Sequence, residues 1–346
     1  MAASKALNRG QRRAHHTGQA LFARIQQELV VTHPILGLHH VTATVADAQD
    51  DLDFSIDLLG MRLVKKTVNF DNHNVYHFYY GDETGRPSTL WTTFPYKGWG
   101  VPVGVHGAGQ IVATSFSVPR DALAFWEARL RDQGIVQEDA GSRFEEEILV
   151  FRDPSGLKIE LITADRDERT PWTQGGIEPD RAIRGLHSVT LLIRNAAKTV
   201  ELMTDLLGFE QVNEDAGRIR MGINGAGAGR SIDIVAAPDA PAAANGLGTV
   251  HHVALAIADP DQQLQLREEI IRRGLQVTEV RDRCYFTSIY FREPGGVLFE
   301  VATVKPGFTI DEELPRLGQD LKLPPWEEPH RSEIESRLPP ITLPGA

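Results

Sequence analysis

The sequence predicts an α+β fold made of four βαβββ units, and three observations carry that prediction. The phrase Gly37-Leu38-His39-His40-Val41-Thr42 recurs as Gly185-Leu186-His187-Ser188-Val189-Thr190, and Asp57-Leu58-Leu59-Gly60 recurs as Asp205-Leu206-Leu207-Gly208, both offset by 148 positions. A second register, offset by 140, relates Asp153-Pro154-Ser155-Gly156-Leu157-Lys158-Ile159-Glu160 to Glu293-Pro294-Gly295-Gly296-Val297-Leu298-Phe299-Glu300. Within each repeat one helical segment sits among short β-type runs. Repeats of this length mean that one supersecondary unit has been copied.

Unit one opens with the β-type run His40 to Val45, and Asp47 is placed to cap a helix over Gln49 to Leu59. Leu52, Ile56 and Leu59 recur there at helical spacing, and Gly60 stands where a left-handed stop belongs. The runs Arg62 to Phe70, Tyr76 to Tyr80 and Thr89 to Phe94 follow, parted by the turn signals Asp71-Asn72 and Gly81-Asp82. Unit two starts near Gln110, has a helix over Asp121 to Gln133 stopped by Gly134, and ends at Glu160-Leu161-Ile162. Unit three starts at Leu186 with a helix near Asn195 to Leu207. Its stretch Gly222 to Arg230 lacks the spacing of a dinucleotide fingerprint and precedes a strand, so it reads as a hairpin turn. Unit four starts at Val250, has a helix over Asp261 to Arg273 stopped by Gly274, and ends at Phe299-Glu300-Val301.

The chain therefore divides into an N-terminal extension (1–36), an N-terminal half with units one and two (37–165), and a linker (166–184). A C-terminal half with units three and four (185–303) and an extended, proline-rich tail (304–346) complete it. The linker is polar and carries Pro171, Gly175, Gly176 and Pro179. Phe308, Leu314, Leu317, Leu321 and Trp326 give the tail the means to dock on the body. The first 27 residues lack acidic side chains and carry Arg9, Arg12, Arg13 and Arg24, which loosely resembles an organelle transit peptide. A solvated basic extension with a short helix near Ala20 to Leu29 is the favoured reading.

Composition excludes several classes of function. At 346 residues, 41% hydrophobic and 24% charged, the chain can bury a sizeable core. A net charge of −11 argues against nucleic-acid binding, which needs basic patches to displace counterions. No apolar run is long enough to cross a membrane as a helix. Cys284 is the only cysteine, which excludes a disulfide framework or thiolate cluster and fits a reducing, cytoplasmic compartment.

Four βαβββ units with a histidine on the first strand and a glutamate on the last resemble the vicinal oxygen chelate superfamily. The resemblance covers about residues 37–303. It implies two cup-shaped mixed-sheet barrels, each made by pairing two units, with metal ligands at equivalent slots on first and last strands. On the first strand, unit one offers His40, unit four His252 and unit three Ser188; unit two offers Val112 or Ala113, depending on a one-residue gap. On the last strand, unit four offers Glu300, unit two Glu160 and unit three Asp233, while unit one offers Thr92 or a neighbour, none acidic. Pairing one with four collects His40, His252 and Glu300. Pairing two with three yields two carboxylates and no histidine, an emptied site. The catechol dioxygenases of the superfamily draw ligands from units three and four, and Ser188 breaks that option.

A narrower resemblance is carried by longer strings. Leu63-Val64-Lys65-Lys66-Thr67-Val68-Asn69-Phe70-Asp71 and Tyr76-His77-Phe78-Tyr79-Tyr80-Gly81-Asp82-Glu83-Thr84-Gly85 are similar to ring-cleaving dioxygenases acting on hydroquinones. So are Gly307-Phe308-Thr309-Ile310-Asp311-Glu312 and Leu321-Lys322-Leu323-Pro324-Pro325-Trp326. The resemblance implies Fe(II) held by His40, His252 and Glu300, with Mn(II) as an alternative, and O2 as co-substrate. It implies catalytic roles for His39, His251, Arg283 and Tyr290, and substrate contacts from Thr42, Arg283 and Tyr290. Two imidazoles and a carboxylate on one face form the triad of non-haem Fe(II) oxygenases. Arg283 has the permanent charge to stabilise a phenolate. Tyr290 has a phenol to donate. His39 and His251 precede the ligands and point to the opposite strand face unless a bulge re-aims them.

The expectation is an extradiol-type ring-cleaving dioxygenase for a small dihydroxylated aromatic of hydroquinone type. A glyoxalase-like metal-dependent isomerase or lyase is the alternative, weakened because unit one ends without an acid. A non-catalytic small-molecule-binding member of the same fold is a third. Hydroquinone against catechol stays open from sequence, as do the ring substituents and whether the chain forms a homo-oligomer.

Overall fold

A computed structural model describes residues 34–139 and 143–343. The helix expected near Ala20 to Leu29 lies outside them. Unit one supplies β1 (Ile35–Val45), β2 (Arg62–Asn69), β3 (Asn72–Gly81) and β4 (Leu90–Pro95). Unit two supplies β5 (Gln110–Val118), β6 (Gln137–Glu138), β7 (Ile148–Arg152) and β8 (Lys158–Thr163). Unit three supplies β9 (Gly185–Ile193), β10 (Glu210–Asp215), β11 (Arg218–Gly222) and β12 (Ser231–Ala236). Unit four supplies β13 (Thr249–Ile257), β14 (Arg281–Asp282), β15 (Thr287–Arg292) and β16 (Leu298–Thr303).

Each unit places one helical segment after its first strand: α1 (Ala48–Leu52), α2 (Leu123–Asp132), α3 (Ala197–Asp205) and α4 (Pro260–Arg272). Asp47 caps α1 by accepting from the Gln49 and Asp50 amides. The expected helix to Leu59 is interrupted: Asp53–Leu58 forms a π-helical turn, closed by the Leu59 amide on the Phe54 carbonyl. The wider turn buries Phe54 and Leu58, whereas Ile56, expected on the inner face, is only half-buried. Gly60 follows at φ +68°, and a Cβ there would stand 2.7 Å from Ile177, so both conformation and space require glycine.

The strands form two eight-stranded sheets of mixed pairing. One runs β14-β15-β16-β13-β1-β4-β3-β2 and joins unit one to unit four; the other runs β10-β11-β12-β9-β5-β8-β7-β6 and joins unit three to unit two. The pairing of the outer units with each other, and of the inner units with each other, is the arrangement expected from the slots. Trp91 of unit one packs edge-on against Phe116 of unit two, and Phe54 against Phe151, so one buried apolar cluster spans both sheets.

Sheet edges are protected. β14 and β6 are two residues long. β10 is exposed along its length and carries Glu210, Glu214 and Asp215. The outer edge of β2 is covered by the tail, where the Lys322 amide donates to the Lys66 carbonyl. In that tail Phe308 and Leu317 are buried, while Leu314 and Trp326 remain exposed and a short helix α5 (Arg331–Arg337) follows. Units one and two each bury a carboxylate. Asp51 accepts from the Tyr80 and Thr93 hydroxyls, Asp153 accepts from the Ser155 and Leu157 amides, and burial pushes each carboxyl up to about 7.

Candidate metal centre

The site forms where the first and last units meet. β1 and β13 run antiparallel, with Thr42 opposite His252 and His40 opposite Ala254. β16 lies parallel to β13 and sets Glu300 beside Ala254. His40 Nε2 is 3.2 Å from His252 Nε2. Glu300 Oε2 is 3.3 Å from the first and 2.8 Å from the second. Donors at right angles about a divalent ion, each about 2.1 Å from it, stand about 3 Å apart, so the triangle has the size of one face of an octahedron. Among the described residues this is the one group of three such donors close enough to share an ion.

All three residues are buried, and Glu300 is 0% exposed. Its Oε1 accepts from the Ser288 hydroxyl, but Oε2 has no hydrogen-bond donor directed at it. Burial favours its neutral form, and only positive charge at His40 and His252, or at an ion between them, holds it well below the usual carboxylate range. A buried anionic oxygen without a donor is costly. A cation at the centre of the triangle removes that cost. The donor set therefore fits a divalent metal ion.

Two β-bulges complete the centre. The β1–β13 register slips between Leu38 and His40, and again where Val250 and His252 flank His251. Each extra residue is the histidine before a ligand, and each bulge turns that ring back toward its neighbour. His39 Nδ1 lies 2.9 Å from His40 Nδ1, and His251 Nδ1 lies 2.7 Å from His252 Nδ1. With Nε2 of each ligand facing the centre, the ligand's proton sits on Nδ1 and the preceding histidine accepts it. His39 and His251 then carry their own protons on Nε2. Burial lowers both to about 3, which keeps them neutral acceptors.

A cavity of about 380 Å³ opens over the centre, the scale of a small-ligand site. His40, His252, Glu300, His251, Arg283 and Tyr290 all line it. His39, expected to be catalytic, and Thr42, expected to contact substrate, stand outside this lining. His39 is packed between His40, Phe286 and the Thr303 backbone. Thr42 Oγ1 is 2.7 Å from Thr92 Oγ1. Arg283 donates from Nε to the Tyr290 hydroxyl at 3.1 Å and from a terminal nitrogen to Asp71 at 2.9 Å. Asp71 also receives Arg281 at 2.9 Å. The β2–β3 turn of unit one is thus tied to the β14–β15 hairpin of unit four.

Among the lining residues that escaped the sequence reading are His77, Tyr79 and Asp71. A signal existed for two of them, because His77 and Tyr79 alternate along β3 and so share a face. Their aromatic surroundings read instead as core.

The other sheet holds the same slots with different chemistry. Its register gives Ala113, not Val112, as the counterpart of His252. Glu160 is gripped by Arg143 through two hydrogen bonds of 2.6 and 2.7 Å and accepts from Ser115 at 2.6 Å. Asp233 is held by Arg220 and Arg218. His187 Nδ1 faces Ser188 Oγ at 3.0 Å, the place where unit one has a second imidazole. Guanidinium groups neutralise the carboxylates of this emptied cup.

Comparison with known proteins agrees with the geometry. The pattern of the Glyoxalase/Bleomycin resistance protein/Dioxygenase superfamily matches residues 37–161 and 185–301. MhqO of Bacillus subtilis (strain 168), provisionally named a ring-cleaving dioxygenase, is 42% identical over 308 residues, which is 89% of this chain and 97% of that protein. The chlorohydroquinone/hydroquinone 1,2-dioxygenase of Sphingobium indicum is 37% identical over 306 residues, 86% of this chain and 94% of its own. A solved structure of a provisionally named dioxygenase from Bacillus subtilis superposes with a TM-score of 0.86 at 41% identity, covering 90% of this chain and 99% of that one. Glyoxalase I from Zea mays, at 13% identity and a TM-score of 0.57 over 77% of this chain and 92% of its own, shares the fold alone.

Proposed function

The chain belongs to the Glyoxalase/Bleomycin resistance protein/Dioxygenase superfamily, and from that premise we propose that it is a metal-dependent ring-cleaving dioxygenase for hydroquinone-type aromatics. The observation that carries this reading is the buried His40–His252–Glu300 triangle, with one oxygen lacking a donor, under a cavity sized for a single ring. Relatives named for ring cleavage support it along nearly their whole length. Fe(II), with Mn(II) as the alternative, would be held by those three residues and would supply electron exchange between a phenolate and dioxygen.

The protein's own groups have separable tasks. Arg283 places a permanent positive charge beside the ring, where negative charge grows as the substrate is activated. Tyr290 faces Glu300 across the β15–β16 pairing. Burial raises its pKa, so its phenol keeps the proton and serves as a donor. His251 presents an Nε2–H at the cavity wall, placed to donate a hydrogen bond to an oxygen of the bound ring. Phe94, Phe286 and Tyr79 line the remaining wall and exclude water. An isomerase of the glyoxalase type fits less well, because unit one places the hydroxyl of Thr92 where a further carboxylate would be needed.

The test is metal analysis of anaerobically purified protein, followed by oxygen-electrode assays with hydroquinones and catechols. Stoichiometric iron and oxygen uptake with hydroquinones are expected, and His252→Ala is expected to lose both metal and turnover. Turnover retained in that variant, or anaerobic isomerase activity of Zn- or Ni-loaded protein, overturns the reading.

A further inference from the structure

The wall contributed by unit one carries an imidazole that the metal centre does not use. His77 lies on β3, is about nine-tenths buried (9% exposed), and lines the cavity. Its ring is held between Tyr79, at a centroid distance of 4.0 Å, and Phe94, at 4.3 Å. Its Nε2 is 3.1 Å from Thr92 Oγ1, and Thr92 Oγ1 is 2.7 Å from Thr42 Oγ1. Thr92 pairs with Tyr79 in unit one as Glu300 pairs with Tyr290 in unit four. The slot that supplies an anionic donor in one unit thus grips an imidazole in the other.

The remaining ring nitrogen, Nδ1, has no protein partner among the described residues. Most other polar groups over the centre are engaged or lie beside the metal ligands. His39 and His251 spend Nδ1 on the ligands. Arg283 is shared between Tyr290 and Asp71. Tyr290 sits opposite Glu300, with its ring 5.8 Å from that of His252. His77 makes no ring or hydrogen-bond contact with the three donors, yet faces the same cavity. A ring anchored at the centre by one hydroxyl lies in this cavity, with His77 on its unit-one wall. Burial holds the imidazole neutral, with one donor and one acceptor nitrogen. Because the Thr42–Thr92 hydroxyl pair can donate in either direction, Nδ1 can give or take a proton in a hydrogen bond.

We infer that His77 is the specificity-determining residue of this site, and that its Nδ1 binds a hydroxyl on the ring carbon opposite the one held at the metal centre. This selects 1,4-dihydroxylated over 1,2-dihydroxylated rings. It rests on the ring-cleaving reading above and adds the recognition of the second hydroxyl.

Anaerobic calorimetric titration of metal-loaded protein separates binding from turnover. Hydroquinone and phenol differ only in the far hydroxyl, and His77→Phe keeps an aromatic ring while removing the nitrogen. The expected result is about tenfold weaker hydroquinone binding in the variant, with phenol binding and metal content unchanged. Thr92→Val should reproduce part of that loss and Thr92→Ser should restore wild-type values, a second route should His77→Phe fold poorly. In oxygen-uptake assays the His77→Phe KM should rise for hydroquinone and not for catechol. Equal losses for phenol and hydroquinone, or no loss for either, overturn the inference while leaving the dioxygenase reading intact. Failure of the wild-type holoenzyme to bind any phenol overturns both.

Discussion

Lys65 is a fully buried ammonium whose charge is met by the tail, and its removal has a calculable cost. It lies on β2 with its side chain 0% exposed, donates to Asp311 at 2.6 Å and pairs with Glu312. Asp311 is 35% exposed and partly screened, whereas Glu312 is 1% exposed. Lys65→Met leaves Glu312 with two long backbone donors, Gly318 at 3.4 Å and Asp320 at 3.3 Å. Breaking a buried ion pair from one side costs about 3–5 kcal/mol. Glu312→Gln costs less, about 1–3 kcal/mol, because Lys65 keeps Asp311. In the double variant no buried charge is stranded at position 312, so it should be at least about 2 kcal/mol more stable than the sum of the single effects predicts. Thermal and urea unfolding of the four proteins measures this cycle, with Lys65→Met lowering Tm by roughly 4–7 °C. Additivity within about 0.5 kcal/mol refutes the argument. The consequence reaches the site because this clamp secures Phe308, whose ring packs 4.9 Å from Tyr285 and 5.0 Å from Tyr79.

Two further predictions concern the carboxylates. Asp51 and Asp153 are pushed up to about 7 by burial, so the stability they contribute is complete below about pH 4 and is lost as pH rises through 7. Each accounts for up to about 4 kcal/mol of that loss; melts from pH 5 to 8 should fall less steeply in Asp51→Asn, and an unchanged slope contradicts the assignment. The two cups should also answer differently to equivalent changes. Glu300→Ala is expected to abolish metal binding, while Glu160→Ala strands Arg143 and lowers stability with metal content unchanged, as read by elemental analysis beside thermal melts.

Much of this site was legible in the sequence because repeats can be interrogated slot by slot. Ser188 against His40 was enough to move the expected centre to the outer units, and the registers of β1 with β13 and of β13 with β16 bear that pairing out. That only a bulge or a strand end could turn His39 and His251 toward the pocket was also readable, since neighbours on a strand otherwise face apart. Their outcome was not, because whether a re-aimed ring meets substrate or its neighbour depends on sub-ångström register. His39 met its neighbour. His77 stayed hidden because a histidine among Tyr76, Phe78, Tyr79 and Tyr80 has the pattern of packed core. Asp71 stayed hidden because its partners Arg281 and Arg283 are 210 and 212 positions away, a contact that only the closed sheet creates. The π-helical turn at Asp53–Leu58 keeps a helix-like apolar spacing and has no composition of its own.

The joining of β1 to β13 also sets a timetable. The two ligand histidines are 212 positions apart. At ordinary translation rates the ribosome needs about 10–40 s to make that stretch. Throughout that interval β1 has no β13 to pair with, and His40 waits beside an open strand edge. The N-terminal half on its own offers one imidazole and no acid at the slots, so a nascent or truncated chain lacks the three-donor set that could hold a divalent ion. Maturation of the centre is therefore tied to completion of the polypeptide, and metal loading becomes a readout of whether the last unit has closed onto the first.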